Sequence, residues 1–221
     1  MFSRSAGAVV NRATSQENPL SNQTAVTKKR IRREPEETQR LILDAAQALM
    51  VREGYGAVST RRVASEAGLT AALLHYYFAT TDDLFIALHR RMMATQTAEL
   101  ERSLAGGDPI EALWQFQTGW SQSGLGVEFI ALANHRKAIR AEIARRAEEA
   151  RASQAKAIAP FLAEAGIDPD LCPSVCAVVL LTAASRLLAN EAAIGITLGH
   201  AEMRRFVESL LASLRRQPPQ P

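Results

Sequence analysis

The stretch "TRRVASEAGLTAALLHYYF", Thr60 to Phe78, decides the fold. Val63, Ala64 and Ala67 recur as one face of a short helix, and Gly68 follows at once, where a left-handed turn suits glycine. Thr70 is placed to cap a second helix with its hydroxyl. Leu74 and Phe78, one helical turn apart, form the inner face of that second helix. Ala64 is small where two helices have to cross closely. A small residue, a glycine turn, a capped second helix and apolar anchors are together the requirements of a helix-turn-helix. An ordinary αα-corner also uses Ala-Gly pairs, but the joint spacing of these features favours the helix-turn-helix.

The row His75-Tyr76-Tyr77-Phe78 stands out in a chain that is only 5% aromatic. An aromatic core, a metal or cofactor box and a surface for reading another molecule are all open to it. If Leu74 and Phe78 point inward, then Ala71, Ala72, His75 and Tyr76 point outward or flank the contact. The alanines let the backbone approach a partner, and His75 and Tyr76 offer donors and acceptors. Arg61 and Arg62 flank this surface, and Thr60 opens a helix whose N-terminal amides suit a phosphate. The second helix carries no Asn, Gln, Arg or Lys, the side chains that best read base edges. Base readout would then rest on His75, Tyr76, apolar contacts to thymine methyls, or DNA shape.

Outward from this stretch, the chain of 221 residues reads as all-α, with about nine helices and no strand-like alternation. Residues 1–33 are rich in Ser, Asn, Gln and Thr, lack periodicity and end in "KKRIRR", Lys28 to Arg33, as a disordered basic arm. Leu41, Ile42, Ala45, Ala46, Leu49 and Met50 make one apolar stripe, closed by Gly54 and Gly56. A long helix is expected from about Asp82 to Leu104, and Asp108-Pro109 opens the next as cap and first position. After the "SGLG" gap and "VEFIALANH", a charged helix from about Arg136 should bend or end near Pro160. Asp168-Pro169 is expected to start an apolar helix running to about Ile196, and Gly199 to precede a last amphipathic one before the tail at 217–221.

The net charge is +3, and its distribution is uneven. Residues 1–80 hold 11 Lys and Arg against 7 Asp and Glu, whereas the remainder holds 15 against 16. That surplus suits a polyanion partner at one end of the molecule. Two cysteines make no disulfide framework and favour a reducing, cytosolic setting. The best candidate for a membrane span, Val175 to Ile196, contains Arg186 and Glu191 and is rejected.

Glu37 to Phe85 resembles the N-terminal domain of the TetR family of bacterial transcriptional regulators. The resemblance rests on Gly54-Tyr55, Thr60, Val63-Ala64, Ala67-Gly68-Leu69-Thr70, Leu74, Tyr76-Tyr77-Phe78, Thr80 and Leu84. It implies a helix-turn-helix domain over 34–81 and a domain over 82–216 that dimerises and holds a small effector. By position it implies DNA contacts at Thr60, Thr70, Ala71, Ala72, His75, Tyr76 and Tyr77. Arg61, Arg62 and Thr80 join them as flanking groups, with Lys28, Lys29 and Arg30 reaching a groove from the arm. Three positions depart from the family pattern: Ala72 replaces a glycine, His75 a tyrosine, and Thr81 a lysine that grips a phosphate.

The function implied is a dimeric, cytoplasmic repressor, released from a palindromic operator on double-stranded DNA by a small, largely apolar effector. The alternatives are an effector-independent DNA-binding regulator and a helical-bundle carrier or enzyme. No nucleophile elbow, phosphate loop, metal set or paired catalytic carboxylates are legible, so no enzyme and no cofactor are expected. Met93, Trp114, Gln117, Trp120, Phe129 and Arg186 are the candidate effector site, because small-molecule sites are mostly apolar with a few polar groups. Val178, Val179, Leu187, Phe206, Leu210 and Leu214 are the candidate dimer interface, on two helices with more apolar surface than one core needs. Cys172 and Cys176 read as thiols rather than half a metal site, and "RRAEEARASQAK" as a solvated helix face with i,i+4 pairs.

Overall fold

A computed structural model describes residues 34–215. The described residues form nine α-helices and one 3₁₀ turn, with no strand. They are α1 (Pro35–Glu53), the turn Tyr55–Ala57, α2 (Thr60–Glu66), α3 (Ala71–Tyr77), α4 (Thr81–Leu104), α5 (Pro109–Ser121), α6 (Leu125–His135), α7 (Lys137–Glu164), α8 (Ser174–Ala193) and α9 (His200–Leu214).

Local chemistry sets most of the ends. Thr70 Oγ accepts from the Leu73 amide at 3.2 Å and so caps α3. Thr80 and Asp83 form a reciprocal capping box at the start of α4. Asp108 Oδ1 accepts from the Ile110 and Glu111 amides at 2.9 and 3.1 Å, with Pro109 in the first helical position of α5. Gly68 has φ +65°, and a Cβ added there would meet nothing within 4 Å. Conformation rather than space therefore calls for glycine in the α2–α3 turn.

Two boundaries differ from the sequence expectation. α7 runs through Pro160 to Glu164 rather than bending or ending there. Ile158 and Leu162, on either side of the proline, are both buried in the same core, and that packing outweighs the lost hydrogen bond. α8 begins at Ser174, not at Asp168-Pro169. A helix opened at Pro169 would bring the Pro173 ring against the Pro169 carbonyl. Asp168 instead closes a turn, accepting from the Asp170 amide on its side chain and from the Cys172 amide on its carbonyl, both at 2.9 Å.

The buried residues fall into two cores. The first gathers Ile42, Leu49, Val63, Leu74, Phe78 and Phe85 from α1–α4 with Phe129 and Leu132 from α6 and Ile139 from α7. The second gathers Leu100, Leu113, Trp114, Ile158, Val178 and Val207 from α4, α5, α7, α8 and α9. The head at 34–81 is therefore not closed by its own residues: α6 seals it, and α4 serves both cores. Taken alone, α8 is long and apolar enough to cross a membrane, with a mean hydropathy of 1.5 in its best window. In the fold it packs on α5 and α7, and Leu181, Thr182, Ser185 and Leu188 are buried there.

Candidate functional site

α2 and α3 hold the outer surface of the head. Leu74 is 0% exposed and Phe78 is buried, so the opposite face of α3 turns to solvent. Ala71, Ala72, His75 and Tyr76 are all exposed on it, Tyr76 to 83%. Tyr77 is half-buried against the first core, and its ring meets that of Tyr76 edge-on at 5.3 Å. The aromatic row thus splits: Phe78 fills the core, Tyr77 braces, and His75 and Tyr76 project.

The flanking groups differ in how free they are. Arg61 is exposed and has no ion-pair partner among the described residues. Arg62 donates to Glu53 at 2.7 Å, and Arg52 pairs with Glu66, so these two charges are spent tying α1 to α2. The hydrogen bond also pulls the Glu53 carboxyl below its usual range, through Arg62 first and then Arg52. Ser59, not Thr60, caps α2; Thr60 is its first helical residue. The hydroxyls of Thr70 and Thr80 are engaged as caps, Thr80 also donating to Asp83 at 2.8 Å. Thr81 follows Thr80, half-buried in the first turn of α4. Lys28, Lys29 and Arg30 lie outside the described residues.

A cavity of about 190 Å³ lies between α4, α5, α6, α7 and α8. Met93, Gln117, Trp120, Phe129 and Arg186 from the sequence reading all line it. Trp114 does not: it is 2% exposed and sits in the second core. Trp114 and Trp120 are six residues apart on α5, which places them about 120° apart around the helix. Trp120 donates its indole N–H to Glu99 at 3.1 Å.

Three side chains at the cavity or at the base of the head were not singled out by the sequence reading. His89 lies between the cavity and the first core, edge-on to Phe129 at 5.0 Å, and its Nδ1 has no hydrogen-bond partner. Burial pushes its pKa down from 6.5 to about 4, with Glu142 opposing and Arg146 adding to the drop. Arg151 lines the cavity, although its segment read as a solvated face. Ala147, Ala150 and Gln154 of that segment line the cavity too and Ala155 is buried in the second core, while the expected i,i+4 pairing is present, with Arg145 on Glu149 at 2.7 Å. Glu128 is the third: its Oε2 accepts from the Tyr55 amide at 2.6 Å, joining α6 to the base of the head. An isolated His, Arg or Glu carries no signal of this kind, because the partner is distant in sequence.

On the dimer candidates the structure is selective. Val178 is 1% exposed and packs in the second core, where Leu188 and Val207 join it, so these residues belong to the monomer's interior. Val179, Leu187, Phe206 and Leu210 are exposed, and Leu214 is half-buried. Cys172 and Cys176 are free thiols.

Residues 42–88, from α1 into α4, match the sequence model of the "Bacterial regulatory proteins, tetR family". A search of curated protein sequences found no match. Solved structures share the fold across both cores. A TetR transcription regulator from Haloarcula marismortui ATCC 43049 is 18% identical, with a TM-score of 0.63, covering 84% of this chain and 100% of that one. A Saccharomonospora viridis chain solved in complex with choline gives the same figures. The fatty acid degradation regulator FadR from Bacillus halodurans is 15% identical, with a TM-score of 0.63, over 83% of this chain and 98% of that one. The outer surface of α2 and α3 thus lies inside the stretch that matches this family's sequence model, and the described residues share the fold of solved structures that include transcriptional regulators.

Proposed function

We propose that the protein is a cytoplasmic repressor that binds a palindromic operator as a two-fold dimer and leaves it when a small effector fills the cavity. The observation that carries this is the position of α6. One side of α6, including Phe129 and Ile130, lines the cavity, while Glu128 on the same helix holds the Tyr55 amide of the head. A ligand that displaces α6 therefore acts on the orientation of α2 and α3 through one hydrogen bond and the shared core around Phe129.

The dimer would use the exposed apolar residues Val179, Leu187, Phe206 and Leu210 of α8 and α9, so that two heads reach two half-sites. DNA contact is assigned to Thr60, Arg61, Ala71, Ala72, His75 and Tyr76, with Thr70, Tyr77 and Thr80 contributing backbone or edge contacts. Arg62 contributes only if it leaves Glu53. Lys28, Lys29 and Arg30 add electrostatic grip from the arm.

Selection of bound duplexes from random DNA tests the proposal. A palindrome with half-sites spaced by about one helical turn is the expected product. An asymmetric or single half-site would reject the dimer. With the selected operator in hand, Glu128→Ala, which removes the acceptor of the Tyr55 amide, should weaken ligand-driven release while leaving ligand binding in place. Equal release by the variant would reject α6 as the link.

A further inference from the structure

The cavity has a definite charge. Among its lining residues only Arg151 and Arg186 carry a formal charge at neutral pH, and no Asp or Glu lines it. Neither arginine has a carboxylate partner among the described residues, whereas Arg62, Arg90, Arg91, Arg136 and Arg145 are all in ion pairs. Two acids on the lining helices α4 and α7 are committed elsewhere. Glu142 is held by Arg90, Arg145 and Arg146, and Glu99 by the Trp120 indole. Arg151 and Arg186 repel each other, which lowers the Arg186 pKa beyond what loss of water does alone. Both arginines keep contact with solvent, and their like charges beside one cavity favour an anion placed between them.

The remaining wall sorts by polarity. Arg151 and Gln154 lie one turn apart on α7, Arg186 and Asn190 one turn apart on α8, and Gln154 accepts from Gln117 at 3.3 Å, while Met92, Phe129 and Ile143 belong to or pack against the first core. Ile143 and Arg151 lie on the same helix eight residues apart, about 12 Å along its axis. The cavity is smaller than the roughly 300–1,000 Å³ of drug-sized sites, so its occupant is small.

We propose that the effector is a small amphipath with an anionic head, held by Arg151 and Arg186, and a short apolar tail against Met92, Phe129 and Ile143. This rests on the effector half of the proposed function and gives the ligand's chemical class. A guanidinium pair accepts a carboxylate or a phosphate by the same geometry, so the shared chemistry is the anionic head. A quaternary ammonium ligand is excluded by the same charges.

The test uses four probes with one tail: octanoate, octyl phosphate, octan-1-ol and octyltrimethylammonium. Each is titrated into the full chain without DNA and followed by calorimetry and by tryptophan fluorescence, in which Trp120 is the reporter and Trp114 is shielded in the core. The expected result is that at least one anion binds about tenfold or more tightly than octan-1-ol, and that Arg186→Gln and Arg151→Gln each cost about tenfold in that affinity. Octan-1-ol should bind both variants within about twofold of the parent, which reports that the apolar wall is intact. Tighter binding of octan-1-ol or the ammonium probe would overturn the inference. So would anion affinity unchanged in the Arg151→Gln/Arg186→Gln double variant. Failure of all four probes to bind would overturn it too. In that last case, retention of a selected operator by the same preparation would leave the DNA-binding function standing, and loss of both would point to the regulatory proposal as a whole.

Discussion

Leu74 on α3 and Leu187 on α8 are the same residue, and each belongs to an apolar stripe at helical spacing. One is 0% exposed and the other 53%. The head closes over Leu74 with residues from α1, α4 and α6, whereas among the described residues nothing covers the outer face of α8 and α9. Val178 and Val179 repeat the contrast within one dipeptide, buried and 40% exposed. Apolar periodicity therefore says that a face wants cover; it does not say whether the cover is in the same chain.

The contrast can be broken most directly at the two leucines. Leu74→Ala should cost about 2–5 kcal/mol of folding stability, read from denaturant unfolding. Leu187→Ala should leave the dilute protein's unfolding in place and raise the dimer's dissociation constant in sedimentation. Equal, concentration-independent losses from both would erase the distinction.

The junction between the two regions is sharpened by pH. His89 is neutral in the fold with a pKa of about 4, against 6.5 when unfolded. Between those values the unfolded chain binds more protons, so stability is complete above pH 6.5 and falls as pH drops towards 4. The loss amounts to about 3 kcal/mol at most. His89→Leu should flatten that part of the stability profile. An unchanged profile would mean that His89 is not kept neutral by burial.

Caps come next. Thr70→Ala and Thr80→Ala should each destabilise by about 1 kcal/mol, since each removes an acceptor from a helix-end amide. Smallest of all in stability is Tyr76→Ala, expected within about 0.5 kcal/mol of the parent. Its operator affinity should nevertheless fall about tenfold. Normal DNA binding by that variant would reject the outward face assigned to α3.

Much of the head was legible because its determinants are local. Gly68 at φ +65°, the Thr70 and Thr80 caps and the Leu74/Phe78 pair each act within four residues, as does Asp108 before Pro109 at the start of α5. The cavity was only partly legible, since its walls come from five helices. Met93, Gln117, Trp120, Phe129 and Arg186 could be picked as residue types that suit a ligand. Trp114 could not be separated from Trp120, because rotation around α5 matters only once α8 is packed against it. Arg151 and Glu128 gave no signal, one hidden in a charged run and the other an isolated acid 73 positions from the amide it binds.

By itself, then, the sequence determined the all-helical class, the helix-turn-helix and the inward and outward faces of α3, because backbone capping, glycine conformation and helical period are short-range properties. Only the tertiary structure decided the passage of α7 through Pro160, which valine of α8 is core, which tryptophan meets the cavity and the gathering of two unpaired arginines beside it. Those outcomes depend on long-range packing and on charges brought together from distant parts of the chain, and no local pattern encodes either.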